Sequence, residues 1–429
     1  MNVNISRYWP IAYTAGGATC LAILCLLTAS DPWVARTGGT SATVIAGRAL
    51  EWEWIDVGQS TLFVEGNPGC CNERTLTDQN AARMTPGLAV SVMASWLRDV
   101  WWAALFLTWV LWLATAWGVH ALVSQSLCSP LRVEGVGASA GMLVSGAFVV
   151  TSPGFLAFVG SIDAHQFGYA GAVLGVLLVT LSGTSPKATQ GSDITVPSSI
   201  IVGLGLFLCD GTMQLGVPLL CLSWVLAFYD WIGSGGKGFF FLLLRSGSVT
   251  LTYAVAQAVW AIVARAGSPG FLLRHNEASG YLQEVLASGM TSFFEISGRL
   301  HVAGLALTDV FGGTLIALAL VGWVAAPLRV KVWAGMWVAL IVAATLLTRL
   351  APRTIYMVFP AVYVLAGLSF ARMMDLLMWM AGTVRWRQVA AGTVGAIVTA
   401  WTIAPTVVAR FGFLWGDLRV SALWWPYMP

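Results

Sequence analysis

Long apolar runs alternate with shorter polar connections along the whole of this chain. A helix that crosses a bilayer needs about 20 predominantly apolar residues. Eleven stretches meet or approach that length: 11–29, 100–123, 134–151, 164–183, 196–209, 213–230, 246–264, 308–326, 331–348, 355–376 and 387–408. The fifth and sixth are short and broken by "CDGTMQLG", with one kinked helix as the alternative. Two connections, 30–98 and 265–306, are far too long for turns. They hold mixed stretches ("GLAVSVMASWL", "YLQEVLASGMTSFFEI") of the kind that suits helices lying in the interface plane. The pattern predicts an all-α polytopic membrane protein in which 1–429 is a single transmembrane domain. It has about 11 transmembrane helices, with interfacial helices in the first external loop.

Basic residues give the orientation. With the N-terminus cytoplasmic, Arg7, Arg132, Lys187, Lys237, Arg329, Lys331, Arg385 and Arg387 all fall on the cytoplasmic side, as the positive-inside bias requires. Fusing the fifth and sixth runs would carry "PLRVK" and "RWR" outside, so the charges favour eleven spans and an external C-terminus. The first run could pass for a signal peptide and reads as a retained signal anchor.

Composition narrows the class. Hydrophobic residues are 58% of the chain, charged residues 10%, and mean hydropathy is +0.78, outside the range of soluble domains. A net charge of +3 gives no case for a nucleic-acid partner. Many of the 22 tryptophans end apolar runs, as a headgroup-level belt would. The seven cysteines form no disulfide framework: Cys20, Cys25, Cys209 and Cys221 lie in apolar runs. Cys70 and Cys71 are sequence neighbours, closer than a relaxed disulfide prefers, and are free or bonded to another chain. No CxxC or His cluster completes a zinc site, so no metal is assigned, and a divalent ion stays open.

Ionisable groups at a membrane face are costly and call for a reason. Asp31 stands at the outer end of the first run. Asp followed by Pro is an N-cap pair, and a capping aspartate can also be catalytic. Glu51 and Glu53 alternate with tryptophan in "EWEWID", which also fits an interfacial strip whose carboxylates face water. Arg83 precedes an apolar interfacial stretch, where it either snorkels to headgroups or clamps a phosphate with its planar fork of donors. Asp163 and His165 stand at the outer end of the fourth run. Two residues apart, they do not share a helix face, so one lines a cavity while the other caps, and a hydrogen-bonded structural role is the simpler reading of His165. Asp210 interrupts the fifth and sixth runs and is a candidate cap for the sixth. Arg353 precedes Tyr356 by about one turn, a pair suited to phosphate contact or to headgroup anchoring. GxxxxGK[ST] and HExxH are absent, as is a cytoplasmic acidic pair for a nucleotide sugar. Chemistry on the outer face, where nucleotides are absent, requires a lipid-linked donor.

These elements and short motifs resemble the GT-C superfamily of integral-membrane glycosyltransferases over most of residues 1–376. Asp31, Arg36, Gly38 and the "GRAL" at Gly47 and Arg48 are similar to the first loop of phage-type serotype-converting glucosyltransferases. "SPGFLAFVGSID", ending at Asp163, resembles their later P-F…D pattern. "ATVIAGRALEWEW" and "ARMTPGLA" look like the first loop of aminoarabinose and protein O-mannosyl transferases, with Arg83 at their phosphate-binding lysine. "RTIYMVFPAVYVLAGL" looks like their late Arg-Tyr-rich motif at Arg353 and Tyr356. The chain departs from the pattern at Pro32, where a second acid often stands, and at Asp210, where a basic residue is usual.

The resemblance implies a polyprenyl-phosphate sugar donor and membrane lipids as partners, in a bacterial inner (cytoplasmic) membrane. It further implies Asp31 and Asp163 as catalytic acids, Arg83, Arg353, Tyr356 and Arg48 as donor-binding groups, and Glu51, Glu53 and His165 as further candidates. Two rivals stand beside it. One is a non-catalytic GT-C-like scaffold or subunit with protein partners, favoured by the single acid and the Cys70–Cys71 pair. The other is a transporter, disfavoured by the outer placement of the candidates and the lack of an internal duplication.

Overall fold

The computed structural model describes residues 84–98, 100–127, 136–151, 164–182, 196–213, 215–233, 239–263, 291–346 and 352–382, with isolated residues near both chain ends. Its regular elements are all helical. In chain order they are α1 (Met84–Leu97), α2 (Val100–Leu127), α3 (Val136–Val150), α4 (Ala164–Ser182), α5 (Val196–Met213) and α6 (Gly216–Gly233). There follow α7 (Phe239–Val263), α8 (Thr291–Phe311), α9 (Gly313–Ala325), α10 (Leu328–Leu346), α11 (Pro352–Ile355), a 3-10 turn (Tyr356–Val358) and α12 (Phe359–Ala381). Four described ranges, Phe106–Leu127, Gly216–Gly233, Leu328–Leu346 and Tyr356–Ala381, are long and apolar enough to cross a membrane, and shorter apolar helices accompany them.

The fifth and sixth apolar runs form two helices, α5 and α6, rather than one kinked helix. The stretch "GLAVSVMASWL" is helical within α1. Of runs 11–29 and 387–408 only scattered residues are described, helical where they are, as at 392–395. The run at 308–326 differs from its expected form. Helical structure starts at Thr291 and continues to Ala325, broken only at Gly312. There φ is +76°, a conformation that favours glycine. Helical hydrogen bonds persist on both sides, from Gly312 N–H to the Thr308 carbonyl at 2.8 Å and from Ile316 N–H to the Gly312 carbonyl at 3.2 Å.

Helix α12 is the axis of the bundle: 83% of the Tyr356–Ala381 apolar window is buried, against 28% for α6 and 33% for α10. Small residues let its neighbours approach. Gly137, Gly141 and Ser145 recur at intervals of four and so share one face of α3. A Cβ on Gly141 would stand 2.6 Å from the Gly367 carbonyl oxygen, and one on Gly137 2.8 Å from that of Ala371. No side chain fits at either point. Lipid tails are as apolar as the helices, so close backbone packing of this kind holds helices together in place of a hydrophobic drive. Gly322 of α9 plays the same part against the Leu365 carbonyl.

Polar residues collect at the two ends of α6. At its start Asp210, Tyr253 and Gln257 meet the Gly216 backbone, and near its finish Asp230 pairs with Arg329. The 15 residues from Gly216 to Asp230 span about 21 Å, less than the ~30 Å hydrocarbon thickness of a typical bilayer.

Candidate active site at one end of the bundle

Helix direction determines which sequence-predicted residues share an end. On α2, Gly118 meets Val173 of α4, and Val123 meets Gly367 of α12. Tyr169 of α4 meets Tyr356 edge-on, with centroids 4.7 Å apart, and also meets Phe359. Only a parallel course for α4 and the Pro352–Ala381 stretch satisfies all three contacts. The first turn of α4, which carries His165 and Gln166, therefore lies beside α11, which carries Arg353, about one turn outward of the Tyr169–Tyr356 contact.

A third element joins them. Gly171 of α4 packs on Thr212, whose Oγ1 would stand 2.7 Å from an added Cβ, so the end of α5 is near the start of α4. The Thr85 hydroxyl of α1 donates to the Leu208 carbonyl of α5 at 2.7 Å, fixing the start of α1 at the same end.

Of the sequence candidates, Asp31, Arg48, Glu51, Glu53, Arg83 and Asp163 lie outside the described residues, as do the side chains of His165 and Arg353. The backbones of His165 and Arg353 are helical, each about one turn from the Tyr169–Tyr356 contact. Tyr356 is fully buried. Its ring stacks on Phe359 (4.9 Å, 8°) and on Phe311 (5.6 Å, 16°), and its hydroxyl is 3.3 Å from that of Tyr363. That packing makes it an anchor which fixes α11, one turn away.

Two features escaped the sequence reading. Gln166 is fully buried, and neither amide atom has a hydrogen-bond partner. A buried amide left in that condition costs about 1–3 kcal/mol, so it asks for a ligand or a functional reason. Its only signal was a polar residue just inside an apolar run, beside Asp163 and His165. The second feature is the set of donors around Asp210. The Gly216 N–H donates to Oδ1 at 2.7 Å, capping α6 as expected, while the Tyr253 hydroxyl donates to Oδ2 at 2.8 Å. The Gln257 amide donates to Oδ2 as well, and to the Tyr253 hydroxyl oxygen at 3.2 Å. This carboxylate is held by neutral donors and stabilises the α5–α6 turn. Among the described residues, no group of three or more His, Cys, Asp or Glu could hold a metal.

A long buried axial helix, gapped small-residue crossings and mixed long and short apolar helices define an integral membrane bundle, and its fold is similar to those of solved membrane glycosyltransferases. The oligosaccharyltransferase of Archaeoglobus fulgidus, solved tethered to an acceptor peptide containing an NVT sequon, superposes with a TM-score of 0.57 at 13% identity. That match covers 95% of this chain and 55% of the other. The A. fulgidus enzyme AglB, solved with an inhibitory peptide and a dolichol-phosphate, gives 0.56 at 12% identity over 95% of this chain and 56% of that one. ArnT from Cupriavidus metallidurans, bound to undecaprenyl phosphate, gives 0.50 at 12% identity over 96% and 76%. This chain thus spans about half the length of the archaeal proteins, and at such identities what is shared is the fold. No family profile and no curated protein sequence matches it.

Proposed function

We propose that this protein is a membrane glycosyltransferase, moving a sugar from a polyprenyl-phosphate donor to an acceptor on the outer face of the membrane. The observation that carries the reading is the meeting of α4, α11, α1 and the end of α5 at one end of a GT-C fold. Those elements carry or adjoin His165, Arg353, Arg83 and Asp163. The fold neighbours solved with dolichol-phosphate and undecaprenyl phosphate support a lipid-phosphate donor.

In this reading the donor enters sideways from the bilayer. Asp31 takes the proton of the acceptor nucleophile as general base, with Asp163 as the second catalytic acid. Arg83, Arg353 and Arg48 hold the departing phosphate and offset the charge that develops on it, an effect enlarged where water is excluded. The buried Gln166 amide contributes hydrogen bonds to the bound donor, and Tyr356 positions Arg353 through the aromatic stack. Glu51, Glu53 and His165 complete the polar lining. One displacement inverts the anomeric carbon.

The test is sugar transfer by the purified protein in liposomes, from a radiolabelled polyprenyl-phosphate sugar. Asp31→Asn and Asp163→Asn each abolish transfer while expression and donor binding persist. Wild-type turnover in Asp31→Asn rejects its assignment as base. A wild-type protein that binds donor without transferring it, and co-purifies with other subunits, supports the scaffold reading that Pro32 in place of a second acid favours.

A further inference from the structure

Away from that site, a half-buried arginine at the start of α7 has no ion pair or hydrogen bond among the described residues. Arg245 sits inside the apolar start of α7, "FFFLLLRSGSV". The acid in its electrostatic reach is Asp230, and that carboxylate is already taken. Arg329 grips it with two nitrogens, Nε to Oδ1 at 3.2 Å and Nη2 to Oδ2 at 3.3 Å, and also donates to the Thr180 carbonyl at 3.3 Å. Arg245 makes no ion pair or hydrogen bond among the described residues. Two guanidinium groups against one carboxylate leave a surplus positive charge, half-buried among apolar residues, where it is costly unless an anion meets it.

The helix shows what else lies along that stripe. Thr252, Ala256 and Val259 follow Arg245 at seven, eleven and fourteen residues, hence on its face of α7. They form one wall of an apolar groove of about 570 Å³, whose other wall is Ile200, Leu204 and Phe207 of α5. The groove is open to lipid: Leu204 is 44% exposed and Val259 is 53%. From Leu251 to Trp260 it runs about 14 Å, close to half the ~30 Å hydrocarbon thickness and so to the depth of one leaflet. Its two ends differ in charge. Arg245 stands beyond one, and Asp210, with Tyr253 and Gln257, stands toward the other.

We propose that this groove and Arg245 together bind an anionic glycerophospholipid from the leaflet at the Arg329 end of the bundle. One acyl chain lies between α5 and α7, and the headgroup phosphate accepts hydrogen bonds from the Arg245 guanidinium. Basic pockets between helices at the cytoplasmic side recognise anionic headgroups in this way. Arg245 stands at one end of the groove only, which fixes the direction in which the lipid lies.

The full-length protein in detergent is titrated with phosphatidylglycerol, phosphatidylcholine, undecaprenyl phosphate or inorganic phosphate, and bound lipid is read by native mass spectrometry. Phosphatidylglycerol is expected to bind about tenfold more tightly than phosphatidylcholine, and inorganic phosphate not to compete. Arg245→Gln removes that preference, and Val255→Trp, at an exposed position on the groove, weakens binding of both phospholipids. Equal binding of the two phospholipids, or a preference kept in Arg245→Gln, overturns the headgroup contact. Unchanged binding in Val255→Trp, or competition by inorganic phosphate alone, overturns the groove. Displacement of phosphatidylglycerol by equimolar undecaprenyl phosphate gives the groove to a polyprenyl lipid and overturns the proposal.

Discussion

Asp210 carries more of the local structure than any other charged residue described, because it accepts from α6 and α7 while belonging to α5. Replacing it with Ala strands the Gly216 N–H, the Tyr253 hydroxyl and the Gln257 amide together. Each buried donor left unpaired costs about 1–3 kcal/mol. Asp210→Ala therefore lowers the thermal midpoint sharply. Asp210→Asn keeps the acceptor for Gly216 and stays near wild type; equal losses in the two variants would deny the carboxylate its capping role. Gln166 is expected to behave in the opposite sense. Gln166→Leu removes an unpartnered buried amide, so the unliganded protein gains on the order of 1 kcal/mol of stability. Donor binding falls in the same variant if the amide serves the substrate, and a loss on both counts marks Gln166 as purely structural. The cap at Asp210 was legible in the sequence, since an acid directly ahead of an apolar run has few other uses. Tyr253 and Gln257 were not legible as its donors. They lie 43 and 47 residues away in an apolar helix, and only packing brings them in.

Among the elements, the spans could be located in the sequence because apolar length is set by the bilayer, whereas their ends could not. The sixth run was expected to stop at residue 230 and the seventh to start at 246, yet α6 continues to Gly233 and α7 begins at Phe239. Both discrepancies share a cause. A charge looks like a boundary when read alone, but Asp230 is matched by Arg329 across 99 residues and lies within reach of Arg245. Matched charges no longer terminate a helix. Gly312 was illegible for another reason: a glycine in an apolar run is neutral evidence until its φ is known. The small-residue stripe of α3 gives a direct test at this scale. Gly141→Leu forces α3 away from the Gly367 backbone and costs about 1–3 kcal/mol, as overpacking does. Gly304→Ala in α8, with open space around its Cβ, leaves the midpoint unchanged or slightly raised. Equal sensitivity at the two glycines would show that the α3–α12 crossing is not close-packed.

For the molecule as a whole, function turns on which side of the membrane each polar end faces. The end with Asp230, Arg245 and Arg329 carries the surplus of positive charge, and the end with α11 and the start of α4 carries the candidate site. Cytoplasmic connections attract lysine and arginine, so the expectation is that the first end faces the cytoplasm and the second faces out. The chemistry depends on that assignment, since an outward site has no nucleotide sugar and must take its donor from the lipid. Two glycines with open space around them, Gly233 at the end of α6 and Gly298 in α8, serve as probes. Each is changed to Cys in a background without the natural cysteines and exposed to a membrane-impermeant maleimide on intact cells. Gly298→Cys is expected to label directly, and Gly233→Cys only after the membrane is permeabilised. The reverse pattern would turn the candidate site toward the cytoplasm, within reach of soluble nucleotide sugars, and the need for a polyprenyl-phosphate donor would vanish with it.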